Sequence, residues 1–122
     1  MKGRVFIVHW KSSETSKYAK KLKREGWVVE AESQNVMRAF DRIKENKPDA
    51  VIIYLNRRPK KGREVGFTVK SIKMTNHLPV VFVNGQENAR KNTQRRVPNA
   101  IFSTSKELNE TLDRFCKKEE EE

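Results

Sequence analysis

The groups with the most evident chemistry in this sequence are cations. Arg57-Arg58-Pro59-Lys60-Lys61-Gly62-Arg63 places five positive side chains in seven positions, and Lys11 is expected to join them from an earlier loop. Such a cluster can hold nucleic-acid phosphates, an anionic small molecule at a helix N-terminus or an acidic protein surface. It can also be a loop that merely keeps its charges in water. A second basic group, Arg90, Lys91, Arg95 and Arg96, offers the same choice. His9 has two readings: a general base or metal ligand, since imidazole titrates near neutrality, or a hydrogen-bonded residue at a strand end. His77 is the only other histidine, and the chain pattern puts it at the opposite end of the sheet, so the two are not expected to share a metal. Cys116 is the only cysteine, which leaves no disulfide framework and no thiolate cluster. On a helix face it reads as a small apolar filler.

The elements that must position these groups are organised around Ala50 to Leu55, an uncharged run of Val, Ile and Tyr without alternation. A strand buried on both faces has this composition, as in a parallel sheet covered by helices on each side. Around it the chain predicts a first strand over Arg4 to His9, a helix capped by Ser12 or Ser13 and stopped by Gly26, and a second strand over Trp27 to Ala31 at a sheet edge. Asn35 is expected to cap a second helix carrying Val36, Ala39, Phe40 and Ile43, with Pro48 beyond its end. A third helix from about Arg63 to Asn76 would bury Val65, Val69 and Ile72, and Leu78 to Val83 would form the fourth strand. From Gln86 to Arg96 only Ala89 is apolar, so any helix there has a weak buried stripe. Ala100 to Ser103 is a short fifth strand, and Thr104 with Glu107 has capping-box spacing for a last helix presenting Leu108, Leu112 and Phe115. Five strands alternating with five helices imply an α/β fold: one doubly wound five-stranded parallel sheet, order 2-1-3-4-5, with helices on both faces. His9, Trp10, Lys11, Asn56, Arg57 and Arg58 would then share one edge of the sheet with Asn84, Ser103 and Thr104.

Composition sets the outer bounds. The 122 residues fit one domain, expected over 1–118 and followed by an acidic frayed tail at 119–122. No apolar stretch approaches the roughly 20 residues of a membrane helix, and no signal-peptide core precedes the first strand, so a cytoplasmic location is expected. The net charge is +11, from 27 Lys and Arg against 16 Asp and Glu, and four of those acids are the terminal glutamates. That surface attracts polyanions, although Lys- and Glu-rich surfaces also form charge networks in heat-adapted proteins. No glycine follows the first strand in His9-Trp10-Lys11-Ser12-Ser13, which argues against a Rossmann dinucleotide site or a P-loop. Nor is there a nucleophile elbow, a pair of catalytic carboxylates or zinc spacing.

Over roughly Gly3 to Cys116 the chain resembles the receiver domain of two-component response regulators. The resemblance is carried by Pro48-Asp49 before the central strand, Gly62 eight positions after Tyr54, Pro79 opening the fourth strand and Asn99-Ala100 before the fifth. It implies that the phospho-accepting aspartate position is Tyr54 and that the acidic pair which holds magnesium falls on His9 and Trp10. It places the hydroxyl after the fourth strand at Asn84 and the lysine after the fifth at Ser105, with Lys106 one position late; Pro59 is also one residue late. These departures imply a degenerate pseudo-receiver pocket of His9, Trp10, Tyr54, Asn84 and Ser105, with no phospho-acceptor, catalytic residue, cofactor, metal or magnesium expected. Tyr54 would fill the pocket or offer its hydroxyl for modification, and Trp10 would cap the pocket or face a partner. The function implied is phosphorylation-independent contact with a protein partner, or with a second copy, through the face of helix four, strand five and helix five. The alternative is nucleic-acid binding by the basic loop and the fourth helix.

Overall fold

The computed structural model describes residues 2–116, so the expected domain end at 118 and the acidic stretch at 119–122 lie outside the described residues. In chain order the elements are β1 (Gly3–Val8), α1 (Ser12–Arg24), β2 (Trp27–Glu32), α2 (Val36–Asn46) and β3 (Ala50–Tyr54), then α3 (Pro59–Ser71), β4 (Val80–Val83), α4 (Glu87–Arg96), β5 (Ile101–Ser103) and α5 (Leu108–Phe115). The strands form one sheet in the order β2-β1-β3-β4-β5, with every neighbouring pair parallel. This is the doubly wound order expected from the sequence.

All five residues of β3 are buried, because alternate side chains feed two separate cores. Val51 and Ile53 join Phe6, Val8 and Phe82 beneath Ala39 and Ile43 of α2 and Val65 and Val69 of α3. Ile52 and Tyr54 join Val5, Ile7 and Val81 beneath Leu22 of α1 and Leu108 and Leu112 of α5. Polar side chains close the ends. Asn35 caps α2 by accepting from the Arg38 amide at 2.9 Å, and the buried Glu32 accepts from the Gln34 and Asn35 amides and from Arg42.

Several boundaries differ from the sequence reading. The N-cap of α1 is Lys11 without a side-chain cap bond; Ser12 and Ser13 lie inside the first turn, and the Thr15 hydroxyl donates to the His9 and Lys11 carbonyls instead. Helix α3 begins at Pro59, four residues before Arg63, because proline at a first helical position gives up an amide that would have had no partner there. Lys60, Lys61 and Arg63 therefore stand on a helical turn, where a loop was expected. The helix ends at Ser71, which leaves Ile72 as an extended C-cap, 38% exposed, outside the core. In α5, Cys116 lies four residues after Leu112 and takes the inner position, while Phe115 turns out to solvent.

Gly66 lets α3 lie close on the sheet. A β-carbon built there would stand 2.5 Å from Phe82 Cζ and 3.4 Å from Ile53 Cδ1. Alanine is the better helix former by about 1 kcal/mol, yet overpacking a filled core costs about 1–3 kcal/mol. Gly66→Ala is therefore expected to lower stability in a urea titration, and an increase would mean that α3 can lift off the sheet.

Candidate functional site

The edge of the sheet after β1 and β3 is where an open parallel sheet places its chemistry. Val8 pairs in register with Ile53, so the residues that follow, His9 and Tyr54, emerge side by side. Both turn under α1. The His9 ring lies 5.4 Å from that of Tyr54 and 5.3 Å from that of Tyr18, and the two tyrosines stack at 4.0 Å with planes 3° apart. Tyr54 is almost wholly buried. Desolvation, with the neighbouring Tyr18 and the charge of Glu25, pushes its phenol well above the usual tyrosine range.

His9 is fully buried. Its Nε2 lies 2.8 Å from Glu14 Oε1, and since an ionised carboxylate can only accept, Nε2 carries the proton and donates it. Nδ1 is then a bare acceptor, and it has no partner in its buried position. Burial lowers the imidazole pKa below its ordinary value, outweighing the hydrogen bond and charge of Glu14. Arg57 closes this chain of contacts by donating to both Glu14 oxygens, at 3.2 and 2.8 Å. The Arg57 bond first, and the His9 bond second, bring the Glu14 carboxyl down to about 2.

Two further loops are tied across the same edge. Asn84 Nδ2 donates to Ser105 Oγ at 2.8 Å, and the Ser105 amide donates to Asn84 Oδ1 at 3.1 Å. Asn84 has φ +62, a left-handed conformation that asparagine tolerates better than most residues. The clamp fixes the β4–α4 loop to the β5–α5 loop. Trp10 packs half-buried against the α2–α3 core, with Lys61 Nζ 4.9 Å from its ring centre. Its Nε1 is buried without a partner.

The predicted cation cluster is only partly brought together. Arg57 is held by Glu14, and Arg63 donates to Thr93 Oγ1 and the Ala89 carbonyl. On α4, Arg96 pairs with Glu64 and lies over the Phe67 ring, Lys91 pairs with Glu87, and Arg95 donates to Asn92. Lys11, Arg58, Lys60 and Arg90 make no ion pair among the described residues and are exposed. His77 is exposed on the loop before β4. Two residues of the site escaped the sequence reading. Glu14 sits one helical turn into α1, five residues after His9, and Tyr18 follows four residues later; that spacing was the available signal, but it reads equally as a solvated acid and a core aromatic.

No family model matches this chain, and no curated protein does. Solved structures do. The chemotaxis protein CheY4 of Vibrio cholerae is 18% identical with a TM-score of 0.75, covering 92% of this chain and 97% of its own. A signal receiver domain of a response regulator from Bermanella marisrubri is 17% identical with a TM-score of 0.75, over 92% and 96%. The receiver domain of a sensor histidine kinase from Pseudomonas aeruginosa, which holds a magnesium ion in its active-site cleft, is 12% identical with a TM-score of 0.80, over 95% and 98%. This chain has the receiver fold. The fold brings His9 beside Tyr54 and Asn84 beside Ser105, but the donor set at the edge does not suit a hard divalent cation. Such an ion takes six or more oxygens, carboxylates first, whereas Glu14 is already committed to Arg57 and His9. Among the described residues no three His, Cys, Asp or Glu side chains converge as a metal group.

The two shifted groups give a pH dependence with a definite sign. His9 has a folded pKa below its unfolded value near 6.5, so the unfolded chain binds its proton first and stability falls as pH drops below about 6.5. Glu14, at about 2 against an ordinary 4.5, adds a second loss between those values. Urea midpoints measured from pH 7.5 down to pH 3 should therefore decline in two stages. His9→Gln, which can still donate to Glu14, should remove most of the upper stage and retain the lower. An unaltered upper stage in that variant would show that the histidine is not desolvated as described.

Proposed function

We propose that this receiver-fold domain is a signalling module that acts by contact with a protein partner and takes no phosphoryl group at its sheet edge. The observation that carries the reading is Tyr54. At the end of β3 it supplies a buried phenol stacked on Tyr18, whose ionisation is pushed far above neutral pH, so it is neither a carboxylate acceptor nor an activated nucleophile. The Asn84–Ser105 clamp supports the same reading, since two mutual hydrogen bonds occupy the side chains after β4 and β5. Enzymatic turnover draws no support from the arrangement: the buried His9 Nδ1 lies among tyrosines, and Glu14 is neutralised by Arg57.

The surface that suits a partner is that of α4, β5 and α5. Phe115 is 43% exposed there, and Phe102 lines a shallow cavity of about 260 Å³ with Arg90, Gln94 and the Lys91–Glu87 pair. An aromatic centre rimmed by cations fits an acidic protein surface. The nucleic-acid reading of the basic segment is less well supported, because Arg57 and Arg63 are used inside the molecule. Among the described residues no helix is long and apolar enough to cross a membrane.

Incubation with acetyl phosphate and magnesium should leave the intact mass unchanged. Tyr54→Asp, which adds back one carboxylate, should also take no phosphoryl group, since the acidic pair is still lacking. A stable phosphoryl adduct on the unaltered protein would overturn the proposal. For the contact surface, if the partner is a second copy, sedimentation velocity should show concentration-dependent association that Phe115→Glu weakens at least tenfold. Association untouched by that change would move the interface elsewhere.

A further inference from the structure

A cavity lies beside the His9–Tyr54 edge, between the first turns of α3 and α4, where Leu55 and Asn56 follow Tyr54 and Gly85 follows Asn84. It has a volume of about 530 Å³, within the range of small-molecule sites. The cavity exists because α4 brings almost nothing apolar to α3: Thr93 is its only buried residue, and Ala89 is too small to fill the space. What lines it instead is a set of amides, Asn56, Gln86, Asn88 and Asn92, together with Arg63. Asn92 Oδ1 accepts from Arg95. The side chains of Asn56, Gln86 and Asn88 have no hydrogen-bond partner among the described residues, and Gln86, although it is the N-cap of α4, makes no cap bond.

Each amide presents a donor and an acceptor side by side, the pattern that matches the hydrogen-bonding edge of a purine. The apolar part of the lining is Leu55, the Pro59 ring and Ala89, which gives a flat base a surface to lie on. Close approach there depends on Gly85, at φ +92, where a β-carbon would stand 2.6 Å from Leu55 Cβ. Arg63 is held in place by Thr93 and the Ala89 carbonyl, and its guanidinium keeps further N–H groups for an oxygen ligand. Arg58 and Lys60, on either side of Pro59, are exposed cations without ion pairs among the described residues. Neither lines the cavity, but both flank Pro59, which does.

We propose that this cavity binds a purine nucleoside phosphate, with the amides reading the base and Arg58, Lys60 and Arg63 serving the phosphate. It lies on the same edge of the sheet, next to the receiver-type positions, and it uses neither a P-loop nor a Rossmann turn. The same chemistry has two sources, a free mononucleotide or a residue of a single-stranded nucleic acid. Calorimetric titration of the full chain at physiological salt with AMP, GMP and UMP, and separately with a short single-stranded oligoadenylate, separates them. Saturable one-to-one binding of a purine mononucleotide, weakened at least tenfold by Ala89→Phe and by Asn88→Leu, assigns the site to a free nucleotide. Oligoadenylate binding with the same sensitivity, and none of AMP, assigns it to a single strand. Three results would overturn the proposal: no heat with any probe at millimolar concentration, binding that both variants leave intact, or inorganic phosphate binding as well as AMP. Because Asn88 is exposed, Asn88→Leu keeps the test valid should Ala89→Phe disturb α4.

Discussion

Tyr54 and Tyr18 lie ring on ring at 4.0 Å because β3 ends beneath α1, and the rest of the sheet edge follows from that contact. Two aromatic faces pressed together exclude water from the space beside His9. The desolvated imidazole must then be neutral, and a neutral imidazole whose Nε2 carries the proton needs an acceptor; Glu14 provides it. A carboxylate so close to a buried ring is in turn stabilised by a cation, and Arg57 reaches over from the β3–α3 turn to supply it. A receiver-type edge is ordinarily built to hold several negative charges around a cation. Here Glu14 is matched by Arg57 and His9, with the rings of Tyr18 and Tyr54 packed beside them.

The order of the sheet was legible in the sequence because burial on two faces leaves a composition signal: Ala50 to Leu55 could be no other kind of strand in so charged a chain. The positions of Tyr54 and Asn84 followed from strand ends, and that of Ser105 from the resemblance to receiver domains. Helix starts were less legible. Pro59 was read as part of a loop because the basic residues around it mask the helical pattern, and Phe115 was assigned inward because aromatic residues usually are. The helix period puts Cys116 there instead. The contacts of the site were the least legible part. Pairs such as Asn84 with Ser105, or Arg57 with Glu14, join residues 21 and 43 positions apart, and no local pattern records which of many polar side chains will meet.

Charge on this surface is likewise organised by contact more than by number. Arg96 covers Phe67 and pairs with Glu64, Arg42 joins Glu30 to Glu32, and Lys2 bridges to Asp113. The Arg96 and Lys2 pairs link segments distant in sequence, and Arg42 ties α2 back to the neighbouring β2. Exposed pairs of this kind contribute only about 0–1 kcal/mol apiece, so their more evident effect is to orient side chains that would otherwise sweep freely. Most of the other cations among the described residues, Lys11, Arg58, Lys60 and Arg90 included, stand outside such pairs.

Arg42 and Glu30 have one more effect, at the border of the sheet. β2 is an outermost strand, and an unpaired strand border is a template on which another chain can add. Glu30 alternates with the exposed Val28 along it, and the Arg42 guanidinium is anchored there to the Ala31 carbonyl as well as to both glutamates. A newcomer strand would have to strip water from that ion pair and displace Arg42 from the carbonyl it needs. At the other border β5 is three residues long, too short to offer much of a ladder. The domain is thus protected at both borders against runaway strand addition and fibre growth, which lets it carry an exposed aromatic face elsewhere.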